Sequence, residues 1–294
     1  MNLKGLLIVN EFLHSNKFNE IHAWLIESAK KHGVRLELRT NAQLLIDIAN
    51  YNYDRIADFI LFWDKDVKLA SYLEQLGYPV FNSSRAIEIC DDKALTHLTL
   101  MKSDIRMPRT IIAPKTFDNI GYTNYEFLEE VGRRLGYPMV IKESFGSFGQ
   151  QVYLVHTSEE ARVQMEAIGA KSVIFQEFLK SSFGRDIRLQ VVGGQVIASM
   201  YRYSENGDFR ANLSIGGRMQ PYEPTESQKE LAMRCCEIIG LDFAGVDILF
   251  GEEEEPVICE VNSNAHFKNI FDCTGVNVAD AIIEHILNKE VRKK

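Results

Sequence analysis

Short apolar runs alternate with amphipathic stretches over the first 88 residues. The strand-like runs lie at residues 6–9, 34–38, 59–62 and 78–81. Residues 17–32 instead carry apolar side chains at the three-to-four-residue spacing of a helix. Strands alternating with helices predict a small parallel α/β unit.

The pattern changes after residue 82. A helix is predicted to begin at Asn82-Ser83-Ser84, run past Leu95 and end before Pro108, and another covers 124–135. Further strands are predicted at 139–142, 151–155, 173–177, 187–192, 195–201 and in a hairpin over 243–262. Capping boxes at Thr157 and Thr225 open two more helices, and a last helix contains Val278 and Ile286. This order predicts α/β followed by α+β sections rather than one doubly wound sheet.

Composition narrows the class of protein. The 294 residues are 46% hydrophobic with a net charge of −8, and they contain no extended Lys/Arg block, which argues against nucleic-acid binding. No apolar run approaches the ~20 residues of a membrane span. The first residues lack the features of a signal peptide, so we expect a cytoplasmic protein. Five cysteines without C-x-x-C spacing predict neither a disulfide framework nor a zinc site.

The hairpin at 243–262 contains the most informative pattern. Folded symmetrically with Phe250 opposite Val257, it places Asp247 opposite Glu260 and Ile248 opposite Cys259. Asn262 then shares the face of the two carboxylates, because side chains alternate along a strand. Opposed carboxylates repel unless a cation lies between them, and such oxygen ligands suit magnesium. A solvated sheet face is the alternative interpretation.

A glycine- and serine-containing loop, Gly146-Ser147-Phe148-Gly149, lies between two predicted strands. Its backbone N–H groups suit phosphate oxygens, although such a loop can equally be a plain turn. Lys142 ends the preceding strand, where it can reach phosphate or extend to solvent, and Lys93 has the same two interpretations. Arg188 and Arg210, with these lysines, would suit a triphosphate.

Six segments together resemble the ATP-grasp superfamily, and most closely the RimK-like amino-acid ligases. They are Asp91-Asp92-Lys93; the strand ending in Lys142 with its glycine loop; Gln176-Glu177-Phe178-Leu179; Asp186-Ile187-Arg188; Gly207 to Asn212; and Ala244 to Asp247 with Glu260-Val261-Asn262. The resemblance covers roughly residues 80–290, with the pieces in family order. It implies an ATP-grasp fold with an N-terminal parallel α/β domain at 1–88, a central subdomain at 89–175 and a C-terminal subdomain at 176–294.

The resemblance also implies roles for matching residues. Lys93, Lys142, Ser147 and Gly149 would bind the ATP phosphates, Gln176, Glu177, Phe178 and Leu179 would line the adenine, and Asp186 would hold the ribose. Arg188, Arg210 and Asn212 would act at the phosphate and acyl-phosphate end. Asp247, Glu260 and Asn262 would hold one or two magnesium ions, or manganese.

The implied reaction joins a carboxylate to an amine through an acyl phosphate. Its partners would be an amino acid such as glutamate and a carboxylate acceptor, which is a small molecule, a peptide or a protein C-terminus. The stretch Ser263 to Asn269 departs from close RimK relatives and resembles ligases that modify an amino-group carrier protein, so it is expected to face the amine substrate. His266 is a candidate base, with a structural role as the alternative, and Lys268 lies in the same stretch.

Three other interpretations remain at this point. The chain is a D-alanine–D-alanine-type or carboxylase-type ATP-grasp enzyme, a regulatory protein that binds ATP without turnover, or a plain α/β scaffold. Relatives of this type are often oligomers, so a homo-oligomer is a further expectation.

Overall fold

A computed structural model describes residues 3–49, 55–146 and 149–291. Its N-terminal part is a parallel four-stranded sheet of order β2-β1-β3-β4 with helices packed on it. These elements are β1 (Lys4–Val9), α1 (Asn16–Lys31), β2 (Arg35–Thr40), β3 (Phe59–Phe62), α2 (Val67–Gln75) and β4 (Val80–Phe81). The predicted α/β unit is therefore confirmed.

The middle part is an antiparallel sheet of order β5-β8-β6-β7. Its elements are α3 (Ser84–Asp91), α4 (Lys93–Leu100), β5 (Thr110–Ile112), α5 (Phe127–Leu135), β6 (Met139–Glu143), β7 (Val152–Val155), α6 (Ser158–Ile168) and β8 (Val173–Glu177). The single helix predicted after Ser84 is wrong, because Asp92 takes an extended conformation and its side chain caps α4 at Ala94 and Leu95. The Thr157 hydroxyl caps α6, but Glu160 accepts from the neighbouring His156 N–H, so the predicted box is incomplete.

The third part is an antiparallel sheet of order β11-β10-β9-β12-β13. It comprises β9 (Arg185–Val192), β10 (Gln195–Tyr203), β11 (Arg218–Pro221), α7 (Glu226–Ile239), β12 (Phe243–Phe250), β13 (Pro256–Asn262), α8 (Lys268–Thr274) and α9 (Val278–Val291). The capping box at Thr225 is confirmed. Strand β8 extends two residues beyond the boundary predicted at 175, and the domain boundaries themselves stay a prediction.

The register of the β12–β13 hairpin is confirmed only in its first half. Asp247 lies opposite Glu260, as predicted, but a bulge follows, and Ile248 pairs with Ile258 instead of Cys259. Phe250 consequently pairs with Pro256 and not Val257. The extra residue in β13 is accommodated by a local bend, so Ile258 joins the apolar core while Cys259 lines a polar pocket.

The C-terminal end of the chain packs against the N-terminal sheet. Ile282 and Ile286 of α9 share a core with Leu25 of α1 and Trp63 after β3. Asn82 ties the same two regions together, because its buried amide donates to the carbonyls of Phe243 and Ser263 at 2.9 Å each. The three sheets therefore enclose clefts whose walls come from distant parts of the sequence. No helix among the described residues has the length and apolar character to cross a membrane.

Candidate active site

The middle and C-terminal sheets face each other across a pocket that collects most of the predicted site residues. Twelve of them line it: Lys93, Lys142, Gly149, Gln176, Glu177, Phe178, Leu179, Asp186, Arg210, Asn212, Asp247 and Glu260. Arg188 and Asn262 line an adjoining cavity that also reaches Glu260. Ser147 lies outside the described residues. Residues that are distant in the sequence, between positions 93 and 260, therefore lie around one pocket, as the sequence motifs imply.

Neutral hydrogen bonds organise the wall formed by the middle sheet. Gln176 of β8 is fully buried, and its amide nitrogen lies 2.8 Å from His97 Nε2 and 2.9 Å from the Thr110 hydroxyl. His97 Nδ1 lies 2.8 Å from the Lys93 carbonyl, which can only accept, so Nδ1 carries the proton and Nε2 accepts from Gln176. Burial lowers the pKa of His97 from 6.5 to about 4, which keeps this chain of hydrogen bonds uncharged.

Side chains from both parts hold the glycine loop. Lys93 Nζ donates to the Gly146 carbonyl at 3.1 Å, and Arg210 donates to the Gly149 carbonyl at 2.7 Å. Gly149 has a φ of +73°, and a Cβ there would lie 2.7 Å from Asn212 Oδ1. Glycine is therefore required both by the backbone conformation and by the close approach of Asn212.

Charged groups dominate the wall formed by the C-terminal sheet. Arg188 of β9 donates two hydrogen bonds of 2.6 Å to Asp247 on the neighbouring strand β12. Arg202 of β10 donates two to Asp186, at 2.6 and 2.8 Å, and its guanidinium also lies 3.1 Å from Asp247. Arg202 is only 4% exposed. The result is a buried row of two arginines and two carboxylates on adjacent strands.

This network has opposite effects on the two carboxyl groups. Burial favours the neutral form of Asp247, but the guanidiniums of Arg188 and Arg202 outweigh it and lower its pKa. Burial raises the pKa of Asp186, and the nearby charge of Asp247 adds to the effect, while Arg202 opposes it. Asp247 is consequently the more acidic of the two carboxyl groups.

Two lysines complete the pocket. Lys142 is buried at the end of β6, with its ammonium group 3.7 Å from the Cys259 sulfur across the pocket. Lys93 lies 3.3 Å from Glu260, so the predicted phosphate ligand and the predicted metal ligand are in direct contact. The alternative of a solvated lysine is wrong for Lys142, and Lys93 is largely enclosed as well.

The side-chain oxygens of the predicted magnesium ligands suit a divalent cation. Asp247 and Glu260 are directly opposed on β12 and β13, and both line the pocket. The Asn262 amide nitrogen has no hydrogen-bond partner among the described residues, so its amide is free to present its oxygen. In the described part of the chain, no group of three or more His, Cys, Asp or Glu side chains is suited to a metal. The protein would therefore supply a partial ligand set, which phosphate oxygens and water complete.

The adjoining cavity has a volume of about 500 Å³ and extends from this set to the N-terminal sheet. Segment 262–266 forms one side, and Asn10, Lys17, Phe18 and Asp64 belong to the other. The ring of His266 meets that of Phe18 edge-on at 5.3 Å, and burial lowers the pKa of His266. Its Nε2 atom has no partner within the described residues. Lys268, in contrast, pairs with Asp272 and Glu20.

Several of these residues were missed at the sequence level. The sequence alone does not distinguish Arg202 from Arg218, yet Arg202 is buried whereas Arg218 is exposed and pairs with Glu205 at 2.7 Å. An arginine in the middle of an alternating strand was the available signal, since it shares a face with Asp186 across β9 and β10. Asn10 and Asp64 follow the parallel strands β1 and β3, and the carboxyl ends of such strands commonly form ligand sites.

Comparisons with known proteins agree with this geometry. A family model described as a RimK-like ATP-grasp domain matches residues 90–286. A probable alpha-L-glutamate ligase of Psychromonas ingrahamii is 37% identical over 234 residues, covering 79% of this chain and 74% of that protein. Human N-acetylaspartylglutamate synthase A is 30% identical over 260 residues, covering 87% of this chain and 64% of that protein.

A solved structure supports the fold independently. The RimK domain ATP-grasp protein of Sphaerobacter thermophilus superposes with a TM-score of 0.71 at 22% identity, covering 95% of this chain and 98% of that one. The predicted fold class, α/β and α+β of the ATP-grasp type, is thereby confirmed. The chain belongs to the RimK-like ATP-grasp family, and it is an ATP-dependent ligase that forms amide bonds.

Proposed function

We propose that this ligase activates a substrate carboxylate as an acyl phosphate and transfers it to the amine of L-glutamate. The observation that carries the proposal is the opposed pair Asp247 and Glu260 on the wall of a pocket that also contains Lys93 and Lys142. Glutamate is proposed because the names of the similar ligase and synthase contain it. The acceptor class is a small acid or a peptide carboxylate.

ATP would lie between the two sheets. The neutral wall around Gln176, with the backbone of Glu177 and Leu179 and the ring of Phe178, suits an uncharged base. Asp186 would reach the ribose, in exchange for part of its contact with Arg202. Lys93, Lys142 and the glycine loop, including Ser147 and Gly149, would surround the phosphates.

Asp247, Glu260 and Asn262 would hold one or two magnesium ions, or manganese. The bound ion would neutralise charge on the phosphates and orient them. Arg188 is already fixed by Asp247, so it would present its remaining donors to the acid substrate or to the transferring group. Arg210 and Asn212 would hold the closed glycine loop, which excludes water from the acyl phosphate.

Two chemical steps follow from this arrangement. A carboxylate oxygen of the acid attacks the γ-phosphorus, and ADP leaves. The amine nitrogen then attacks the acyl carbon, phosphate leaves, and one proton is lost from nitrogen. His266 is our candidate acceptor for that proton, because burial lowers its pKa, it lines the substrate cavity, and its buried Nε2 atom has no partner among the described residues.

Two further proposals concern context. All five cysteines are free thiols, which fits a reducing compartment, and we propose the cytoplasm. We also propose a homo-oligomer, on the basis of family resemblance alone. Neither proposal affects the chemistry.

ADP release across a matrix of the common L-amino acids against N-acetyl-L-aspartate, other small acids and glutamate-terminated peptides tests the reaction. Mass spectrometry on each active pair identifies the product. We expect L-glutamate to be the productive amine, with a product heavier than the acid by one dehydrated glutamate. ATP binding without stimulation by any pair would contradict the proposed reaction.

A further inference from the structure

The cavity beside the phosphate end contains charges of two kinds. Most of those lining it are already paired within the protein: Arg188 with Asp247, Arg202 with Asp186, Glu260 with Lys93, and Lys65 with Asp91 at 2.5 Å. Two charged residues of the lining remain, the acidic Asp64 and the basic Lys17. Among the described residues, neither Asp64 nor Lys17 has an oppositely charged side chain within 4.0 Å.

Asp64 is the more unusual of the two because it is only 9% exposed. Its carboxylate accepts from the Lys65 backbone N–H at 2.7 Å and from the Asn10 amide, at 3.2 Å to each oxygen. These donors are all neutral. A buried carboxylate without a counter-ion is expensive, and the expense is explained if a cationic ligand group pairs with it.

Asn264 adds a second acceptor beside Asp64. Its amide nitrogen donates to the Asp64 backbone carbonyl at 2.5 Å, and this contact fixes the orientation of the amide, since a carbonyl cannot donate. Asn264 lines the cavity, and its buried amide oxygen has no donor among the described residues. A carboxylate without a charged donor and an amide oxygen without any donor suit a group with several N–H donors.

The position in the fold favours a ligand as well. Asn10 follows β1 and Asp64 follows β3, and these central strands of the β2-β1-β3-β4 sheet are where the chain order reverses. The crevice outside the carboxyl ends of parallel strands at such a reversal is a common ligand position. Lys17, at the start of α1, lines the same cavity.

We infer that Asp64, with Asn10 and Asn264, binds the ammonium group of an amino-acid substrate, while Lys17 attracts one of its carboxylates. The inference rests on the proposed function and adds the residues that recognise the amine substrate, a free zwitterionic amino acid. The ammonium form binds first. It releases one proton to solvent, which frees the nitrogen lone pair to attack the acyl carbon, and the second proton passes to His266 as phosphate leaves.

Hydroxylamine makes the inference testable without knowledge of every substrate contact. It is uncharged near neutral pH and traps acyl phosphates as hydroxamates, so it needs no ammonium receptor. Turnover is measured as ADP release with N-acetyl-L-aspartate and glutamate-terminated peptides as acids, and with either L-glutamate or hydroxylamine as the amine. The variants are Asp64→Asn, Asp64→Glu and Lys17→Met, each with a thermal melt to check folding.

For Asp64→Asn we expect the KM for L-glutamate to rise roughly tenfold to a hundredfold, as for the loss of a charge-assisted hydrogen bond. The hydroxylamine rate should change less than about threefold, well below one such bond. Asp64→Glu, which keeps the charge, should recover part of the lost affinity. Lys17→Met should raise the same KM by a smaller factor, because Lys17 is exposed. N-acetyl-L-glutamate, which lacks the ammonium group, should not compete with L-glutamate.

Three results would overturn the inference. The first is an unchanged KM for L-glutamate in Asp64→Asn. The second is an equal fall in the rate of ADP release with both amines, which indicates a structural role for Asp64. The third is a wild-type enzyme that uses hydroxylamine but no free amino acid. Wild-type enzyme inactive with both amines would instead overturn the proposed function, and this inference with it.

Discussion

The two walls of the pocket between the middle and C-terminal sheets are built from opposite kinds of interaction. The middle sheet presents a chain of neutral hydrogen bonds from Gln176 through His97 to the Lys93 carbonyl. The C-terminal sheet presents a buried row of ion pairs that centres on Arg202 and Asp247. Lys142 is the exception on the middle wall, and it extends toward the charged side, to Cys259.

The difference matches what each wall would contact. An uncharged base needs directional donors and acceptors, and a charge nearby would only add desolvation cost. A triphosphate and a divalent cation need preorganised charges of both signs, because reorganisation during the reaction is what such a site avoids. Each wall can be disrupted separately, and the effects should differ in kind.

The largest effect is expected at the centre of the charged wall. Arg202→Met leaves Asp186 buried without its counter-ion, which should destabilise the fold by about 3–5 kcal/mol. Arg218→Met on β11 is the matched control, because this exposed arginine pairs with Glu205 at the surface and should contribute less than about 1 kcal/mol. Denaturant unfolding measures both.

Equal unfolding midpoints for the two arginine variants would contradict a buried charge network. The double variant Arg202→Met with Asp186→Asn sharpens the test. It removes the stranded charge, so it should recover part of the loss in Arg202→Met alone.

The next effect concerns turnover rather than stability. Glu260→Gln keeps the shape of the side chain but removes the charge opposite Asp247 and beside Lys93. ADP release should fall about a hundredfold to a thousandfold, as when a preorganised electrostatic contact is lost, while the melting temperature changes little. Glu252→Gln, in the exposed turn of the same hairpin, is the control and should keep full activity. A Glu260→Gln enzyme within threefold of wild type would exclude the metal assignment.

The charged wall also shows what the sequence could and could not predict. Alternation along two strands and a short acidic turn were enough to place Asp247 opposite Glu260. The bulge that follows was not predictable, since one extra residue in β13 leaves no mark in the alternation of Val257 to Val261. The symmetric register therefore predicts Cys259 opposite Ile248, whereas Cys259 is the bulged residue and lines the pocket.

The contribution of the N-terminal sheet was the larger omission. Asp64 and Asn10 looked like ordinary residues at strand ends, and no local motif distinguishes them. Their role depends on α9 and segment 262–266 returning to pack beside β1 and β3, which is a long-range contact. Family motifs predicted the residues of the pocket between the two sheets, whereas the lining of the adjoining cavity required tertiary structure.

As the pH falls, the neutral wall should lose its contribution to stability at a higher pH than the charged wall does. The pKa of His97 is about 4 in the fold and 6.5 ordinarily, so the unfolded chain binds the proton more readily. The contribution of neutral His97 to the free energy of unfolding is therefore fully present above pH 6.5. It is lost as the pH falls toward about 4, by up to about 3 kcal/mol. His97→Gln should flatten the stability profile in that window.

His22 on α1 is the internal comparison for this measurement, because burial and the nearby His266 lower its pKa to about 4 as well, and it does not line the pocket between the two sheets. His22→Gln should flatten the profile equally but leave the KM for ATP unchanged, whereas His97→Gln should raise that KM. A His97→Gln profile that superposes on the wild-type profile would show that His97 is not held neutral.

The smallest effect is expected where the two walls meet, at the glycine loop. Gly149→Ala adds a Cβ that would lie 2.7 Å from Asn212 Oδ1, at a φ of +73°. Gly169→Ala has a nearly identical φ of +72° with open space around it, so it also places a Cβ at a positive φ but without the clash. Both should lose about 1 kcal/mol of stability, but only Gly149→Ala should slow ADP release, by roughly tenfold, because Asn212 and Arg210 can no longer hold the closed loop. If the two variants have the same activity, the contact between the glycine loop and Asn212 is not needed for turnover, and the other residues of the charged wall are sufficient to hold the loop closed.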